Sequence, residues 1–304
     1  MSRDFTRRHS SMARILKTKF RKICAALAVI ILALVVWAFW LEPASITVRR
    51  VHLEIPSWHG EHRDLKIAVL TDLHVGSPHM GLDKLRSVVE RTNDEKPDLI
   101  LLLGDYVIGG RNHGGGVVGG TFVQPEPIAA ELKRLRAPLG VFAVLGNHDW
   151  WFDGERVNAA LKNAGITVLE NQAARVESNG QGFWLVGVAD LWTRQPDIAG
   201  ALGQVNGDDP VILMTHNPDI FPDVPPRVSL TLAGHTHGGQ VNLPLVGRPV
   251  VPSQFGQRYA MGHVVEQGRH LFVSGGIGTS IIPVRFRVPP EIVILTLSKE
   301  GDAR

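Results

Sequence analysis

Short apolar runs that stop abruptly at Asp, Asn or His recur along the chain. Residues 65–70 (LKIAVL) form the first and are closed by Thr71-Asp72-Leu73-His74. Such runs, bounded by turn formers, read as buried strands. Leu82, Leu85, Val88 and Val89 then recur at helical spacing, which predicts a helix over 81–96. The pairing repeats with a strand at 98–103 closed by Gly104-Asp105, a helix at 125–135, and a strand at 140–145 closed by Gly146-Asn147-His148-Asp149. A helix at 155–163, a strand at 183–188 leading to Asp190, and a strand at 211–214 closed by Thr215-His216 come next. Residues 228–233 predict a strand that runs into Gly234-His235-Thr236-His237-Gly238-Gly239-Gln240, and two further strands fall at 271–274 and 292–297. Between these elements, residues 109–120 with Gly114-Gly115-Gly116 predict a flexible loop.

The polar endings carry the chemistry. Open α/β sheets gather their ligands at the carboxyl edge of the strands, and several strands here end there in metal-ligand types. Asp72, His74, Asp105, Asn147, His216, His235 and His237 are the candidates. In the last pair, two imidazoles one residue apart in extended chain point the same way. Seven nitrogen and oxygen donors exceed what one ion uses while leaving room for water, so two ions sharing a carboxylate are expected. Histidine and carboxylate must do this work, because the single cysteine, Cys24, lies far from every such ending.

The amino terminus differs in kind. Residues 1–22 hold Arg3, Arg7, Arg8, Arg14, Lys17, Lys19, Arg21 and Lys22 against Asp4 alone. Residues 23–41 are uncharged and end Trp37-Ala38-Phe39-Trp40-Leu41. As a helix this run spans about 28 Å, close to the hydrocarbon thickness of a bilayer, with tryptophans at headgroup level. It is longer than a signal-peptide core, and no small-x-small cleavage site follows, which predicts a retained anchor. A basic head on the cytoplasmic side places the rest of the chain beyond the membrane. The head carries a net +7, so the remainder of this 304-residue chain, whose total is +3, is −4. No basic stripe is left to bind nucleic acid.

DLH, GDY, GNHD, TH and GHTHGGQ, in that order, resemble the five signature blocks of the calcineurin-like metallophosphoesterases. The basic head, the anchor, Gly275-Gly276-Ile277-Gly278 and Pro283-Val284-Arg285-Phe286 resemble its membrane-associated bacterial branch, which contains phosphodiesterases and a UDP-2,3-diacylglucosamine pyrophosphatase of lipid A synthesis. The likeness covers residues 65–297. It implies a four-layer α/β/β/α sandwich over residues 65–304, preceded by a basic head at 1–22, one N-terminal transmembrane helix at 23–41 and a linker at 42–64. It also implies Asp72, His74 and His237 on one ion, Asn147, His216 and His235 on the other, and Asp105 bridging. Many relatives follow the GD block with another acid, where this chain has Tyr106, a departure that bears on the pocket rim.

The expected function is hydrolysis of a phosphodiester or pyrophosphate bond by a hydroxide shared between two divalent ions, with manganese first and iron or zinc as alternatives. His148 is expected to donate to the phosphate and leaving oxygen, with Asp149 orienting its ring. Arg285, Arg258 and Tyr259 are candidate substrate contacts. Trp150-Trp151 form either an apolar wall for a lipid chain or part of the core. His52, His59, His62, His79, His113, His263 and His270 default to surface or core roles. A tethered enzyme suits lipid-linked substrates such as UDP-2,3-diacylglucosamine, yet that substrate is expected at the cytoplasmic face, opposite to the predicted topology at a bacterial inner membrane. A phosphoprotein phosphatase and a non-catalytic metal-dependent sensor are the alternative functions.

Overall fold

A computed structural model describes residues 2–58, 64–109, 116–178 and 180–299. The tip of the glycine-rich loop, His113 in it, and His59 and His62 lie outside the described residues. Among the described residues, twelve strands build two sheets. β1 (Thr47–Ile55), β2 (Leu65–Leu70), β3 (Leu99–Leu103), β4 (Val141–Val144), β5 (Thr167–Val168) and β12 (Glu291–Lys299) form one, in the order β1-β12-β2-β3-β4-β5. β6 (Gln172–Ser178), β7 (Gln181–Gly187), β8 (Val211–Met214), β9 (Leu230–Ala233), β10 (Gly262–Glu266) and β11 (Arg269–Val273) form the other, in the order β10-β11-β9-β8-β7-β6.

The alternation of side chains along each strand separates three apolar layers. Ala68, Leu70, Ile100 and Leu102 face outward onto the helices α3 (Leu82–Asp94), α4 (Pro125–Leu132) and α5 (Asn147–Asn163). Their neighbours Ile67, Val69, Leu99 and Leu101 face inward against Phe183, Leu185, Ile212, Met214 and Phe272 of the second sheet. The outer face of that sheet, with Val211, Leu213 and Leu271, is covered by the short helix α6 (Ile198–Leu202) and the 3-10 segment Pro218–Asp223. Layers run helix, sheet, sheet, helix, as expected. Both central strand sets are parallel (β2-β3-β4 and β7-β8-β9), so their carboxyl ends open on the same edge of each sheet.

Two sequence expectations are corrected. The stretch taken as a linker contains β1, which pairs in parallel with β12 from Thr47↔Glu291 to Ile55↔Lys299, and it also buries Trp58. Its Arg49-Arg50 pair and its half-buried N-terminal half hide the alternation that marks a strand. α5 begins at Asn147 rather than 155, so the GNHD segment is the first turn of a helix. Gly146 remains extended (φ −105°, ψ 178°), and its N–H donates to Asp149 Oδ2 (2.9 Å).

The N-terminal helix α1 (Ser2–Val36) continues through a π-helical turn at Trp37–Leu41 into the short α2 (Glu42–Ala44). Leu16–Ala44 is long and apolar enough to cross a membrane, and its apolar side chains up to Val36 stand exposed.

Candidate metal centre

The seven candidate ligands converge from the loops after β2, β3, β4, β8 and β9, and each is buried. Two constellations meet at one atom. Asp72 Oδ1 lies 3.3 Å from His237 Nε2, which lies 3.1 Å from His74 Nε2, which lies 3.4 Å from Asp105 Oδ2. The same Asp105 Oδ2 is 3.2 Å from His216 Nε2, which is 3.1 Å from Asn147 Oδ1 and 3.2 Å from His235 Nδ1.

These separations fit cations. Donors about 2.1 Å from one ion at octahedral or tetrahedral angles stand roughly 3.0 to 3.4 Å from each other, so each constellation has the edge lengths of a coordination shell. Asp72 Oδ1 is buried and accepts no hydrogen bond, an arrangement that costs free energy unless a cation faces it. Electrostatics agree at three of the four imidazoles. Burial pulls the imidazoles of His74, His235 and His237 down, His74 to about 3, so they present neutral nitrogen lone pairs. Burial would lower His216 too, yet the Asp105 carboxylate beside it pushes it up to about 10. Burial raises Asp72 to about 6, Asp105 adding to the rise, so the buried carboxylates call for positive charge.

The backbone is bent to make this possible. Asp72, His74, Asp105, His235 and His237, five of the seven, adopt positive φ between 43° and 69°. Non-glycine residues rarely do so, and clusters of them mark sites where packing enforces a strained geometry. The glycines of two signature blocks leave room. A Cβ on Gly104 (φ +92°) would stand 2.5 Å from Gly146 N, and one on Gly146 would stand 2.2 Å from Asp105 Oδ1.

Outer contacts fix the direction of three of the candidate ligands. Asp72 Oδ2 accepts from Thr71 Oγ1 (2.8 Å) and from His235 N (3.0 Å), leaving Oδ1 for the centre. His216 Nδ1 donates to Leu103 O (2.7 Å), which turns Nε2 inward. Asp105 Oδ1 accepts from His148 N (2.8 Å).

The His148 ring lies edge-on to His74 with centroids 4.5 Å apart. Asp149 does not orient that ring. Its carboxylate accepts from the backbone N–H of Asp105 (2.8 Å), Tyr106 (2.9 Å) and Gly146, so it holds the GD loop against the start of α5. The partner of His148 Nδ1 is Ile108 O, at 3.3 Å. A backbone carbonyl has no sequence signature, which is why residue types alone pointed to the neighbouring acid.

The three weaker candidates are also corrected. Arg285 is fully buried and donates to the carbonyls of Gly275, Gly278 and Val288, so it ties a loop together rather than meeting substrate. Burial lowers its pKa to about 10. Tyr259 is buried against Phe221 and Phe255, its hydroxyl donating to Glu266 (2.9 Å), and Arg258 pairs with the same carboxylate (2.5 Å). The tryptophan pair divides: Trp150 packs under Arg194, 4.2 Å from the guanidinium carbon, while Trp151 stands 4.8 Å from the His148 ring. Sequence reading missed Trp192, half exposed and edge-on to His235 at 4.3 Å. Asp190 Oδ2 holds its turn by accepting from the N–H groups of Trp192 (3.1 Å) and Thr193 (2.9 Å). An Asp two residues before an aromatic, at a strand end, was the available signal.

Such a sandwich, with this centre at its strand ends, defines a metal-dependent phosphoester hydrolase. Residues 65–239 match the family described as Calcineurin-like phosphoesterase, and the chain belongs to that family. It is 32% identical over 269 residues to the uncharacterized metallophosphoesterase YkuE of Bacillus subtilis (strain 168), covering 86% of this chain and 88% of YkuE. It is 35% identical over 238 residues to phosphodiesterase YaeI of Escherichia coli (strain K12), covering 76% and 82% respectively. A transmembrane protein with metallophosphoesterase domain from Danio rerio is 27% identical over 314 residues, covering 97% of this chain and 67% of that protein.

Proposed function

We propose that this protein is a membrane-anchored phosphodiester or pyrophosphate hydrolase acting on lipid-linked substrates. One observation carries the reading: Asp105 Oδ2 belongs to both ligand constellations, 3.4 Å from His74 Nε2 and 3.2 Å from His216 Nε2. Asp72, His74 and His237 would hold one divalent cation and Asn147, His216 and His235 a second, with Asp105 between. Bound there, divalent cations such as manganese, iron or zinc would supply Lewis acidity to activate water and to neutralise charge on the phosphoryl oxygens.

The chain's own residues do the rest. His148 is held by its N–H on Asp105 Oδ1 and by Nδ1 on Ile108 O. It donates a hydrogen bond to the phosphate and passes a proton to the leaving oxygen as its bond to phosphorus breaks. Trp151 and Trp192 border the imidazoles His148 and His235 and keep water from that side. The apolar N-terminal helix supports the anchored reading, and the similarity to a protein named phosphodiesterase supports the diester. The basic head favours a cytoplasmic amino terminus and an extracytoplasmic catalytic domain at a bacterial inner membrane.

Purified full-length chain, stripped by chelation and resupplied with Mn²⁺, Fe²⁺ or Zn²⁺, tests this on bis-p-nitrophenyl phosphate, p-nitrophenyl phosphate and a nucleoside-diphosphate lipid. Turnover of the diester and the lipid above the monoester is expected. Monoester preference would turn the reading into a phosphatase, and inactivity with every metal into a sensor.

A further inference from the structure

Beyond residue 41, seven of the nine large apolar side chains exposed among the described residues lie on one hydrogen-bonded group of loops. Leu243, Leu245, Val246 and Val250 stand on the segment that follows His237, Ile281 and Ile282 on the loop after β11, and Val118 beside them. Val118 N donates to Ile281 O, and Gln240 clasps the second loop by accepting from Ser280 N and donating to Ile282 O. Asn242 N donates to Phe286 O, which fastens the first loop to the same segment.

Those loops are fastened in turn to the end of the apolar helix. Arg285 N donates to Ala38 O (2.9 Å), and Val288 N donates to the buried carboxylate of Glu42 (2.6 Å), which also accepts from Trp37 Nε1 (2.6 Å). His79 meets Phe39 O at 2.9 Å, and the Lys84 ammonium reaches the carbonyls of Ala44 and Ser45. The helix therefore enters the catalytic domain on the loops that carry the exposed apolar residues. It is docked there, with no free linker between.

Two of these side chains sit where the backbone disfavours them. Leu245 (φ 67°) is at the tip of the hairpin closed by Leu243 and Gly247, fully exposed, and Ile281 adopts φ 62° with more than half its surface exposed. A turn in this conformation ordinarily takes Gly or Asn, and a β-branched residue is strained in it. A large apolar side chain that pays for both its backbone and its exposure is retained for something outside the chain.

From the continuity of this rim with the membrane helix we infer that the loops around Leu245 and Ile281 lie in the bilayer's headgroup and acyl boundary and hold the metal centre at headgroup depth. The inference rests on the anchored reading above. Both loops are rooted in that centre: a Cβ on Gly278 would stand 2.8 Å from the His74 Cβ, and Gln240 follows His237 by three residues. The occupant is a lipid surface, and the substrate class that follows is a phosphodiester or diphosphate headgroup whose acyl chains stay in the membrane.

The test uses the full chain with Cys24→Ser and one bimane label at Leu245→Cys, at Ile281→Cys, or at Gln181→Cys, which lies at the opposite end of β7. The protein is reconstituted in phosphatidylethanolamine and phosphatidylglycerol vesicles with brominated acyl chains, whose quenching reports burial ~5–10 Å into the boundary. Quenching of about twofold or more is expected at 245 and 281, and none at 181. Protein that floats with the vesicles but is unquenched at 245 and 281 overturns the inference, while protein that does not float overturns the anchored reading and the inference with it. The double variant Leu245→Glu/Ile281→Glu should lose about tenfold in turnover of a vesicle-borne phosphodiester, the range expected when a surface-binding step fails, and keep its rate on soluble bis-p-nitrophenyl phosphate. Equal loss on both substrates, or loss on neither, counts against it.

Discussion

Asp105→Asn is the sharpest perturbation available, because it removes one charge from an atom shared by both constellations while keeping the shape. The amide can still accept from His148 N through its oxygen, so the fold of the GD loop is preserved. Outer-shell partners of a metal site are each worth about 10 to 100-fold in affinity, so loss of a directly facing carboxylate should weaken each of two ions by ~100-fold or more. Turnover of bis-p-nitrophenyl phosphate should fall by about 10³ or more, the scale of a lost electrostatic stabiliser at a reacting centre. Metal content after dialysis should drop from two ions per chain to one or none. Thermal unfolding gives an independent readout. A ligand at 100 times its dissociation constant stabilises the folded state by about 2.7 kcal/mol, which in a domain of this size raises the melting temperature by roughly 5–10 °C. Wild-type protein should lose that margin on adding EDTA, and the variant should barely respond. A variant that keeps two ions and wild-type turnover would refute the shared-carboxylate reasoning.

His148→Asn should behave in the opposite way, keeping both metals and the EDTA response while turnover falls about 10² to 10⁴-fold; loss of metal would show the residue to be a ligand or a structural support. Glu170 supplies a pH prediction away from the centre. Burial raises its carboxyl from 4.5 to about 7, so its contribution to stability is complete below pH 4.5 and is lost as pH rises through 7. Glu170→Gln, which can still accept from Leu145 N, should remove this pH-dependent loss, up to about 3 kcal/mol, read as a melting temperature that falls less between pH 5 and 8. An unchanged slope would mean that the carboxyl is ionised throughout.

Legibility in the sequence followed burial. Strands buried on both faces, such as Leu99–Leu103 and Val211–Met214, are unbroken apolar runs and are readable within a residue or two. Edge strands are not. β1, β6 (QAARVES) and β10 (GHVVE) face solvent for much of their length, and β1 owes its pairing to a strand distant in the chain, as Thr47 to Glu291. Within the site the direct donors were legible, because few side chain types can hold a cation. The contacts that aim them were not, since Leu103 O, Ile108 O and His235 N are backbone groups that any residue would supply. Arg285 misled for a related reason. A guanidinium suits a phosphate, but it equally suits three carbonyls, and only burial separates the two.

The positive φ of five candidate ligands connects fold and chemistry. At about 1 kcal/mol each, their backbone strain amounts to roughly 5 kcal/mol, comparable with the lower end of a domain's net stability of ~5–15 kcal/mol. That strain falls at the ends of β2, β3 and β9, whose apolar residues are shut between the two sheets and their covering layers. The strands cannot relax without opening those layers, so the ligands are held in place before any cation arrives. Ions that bind a shell already formed spend little of their affinity on ordering it. The same rigidity reaches the N-terminal helix, because Gly276 and Gly278 pack against Asp72 and His74 while Arg285 secures their loop to Ala38. The position of the centre relative to that helix is thereby fixed by the same contacts that fix its geometry.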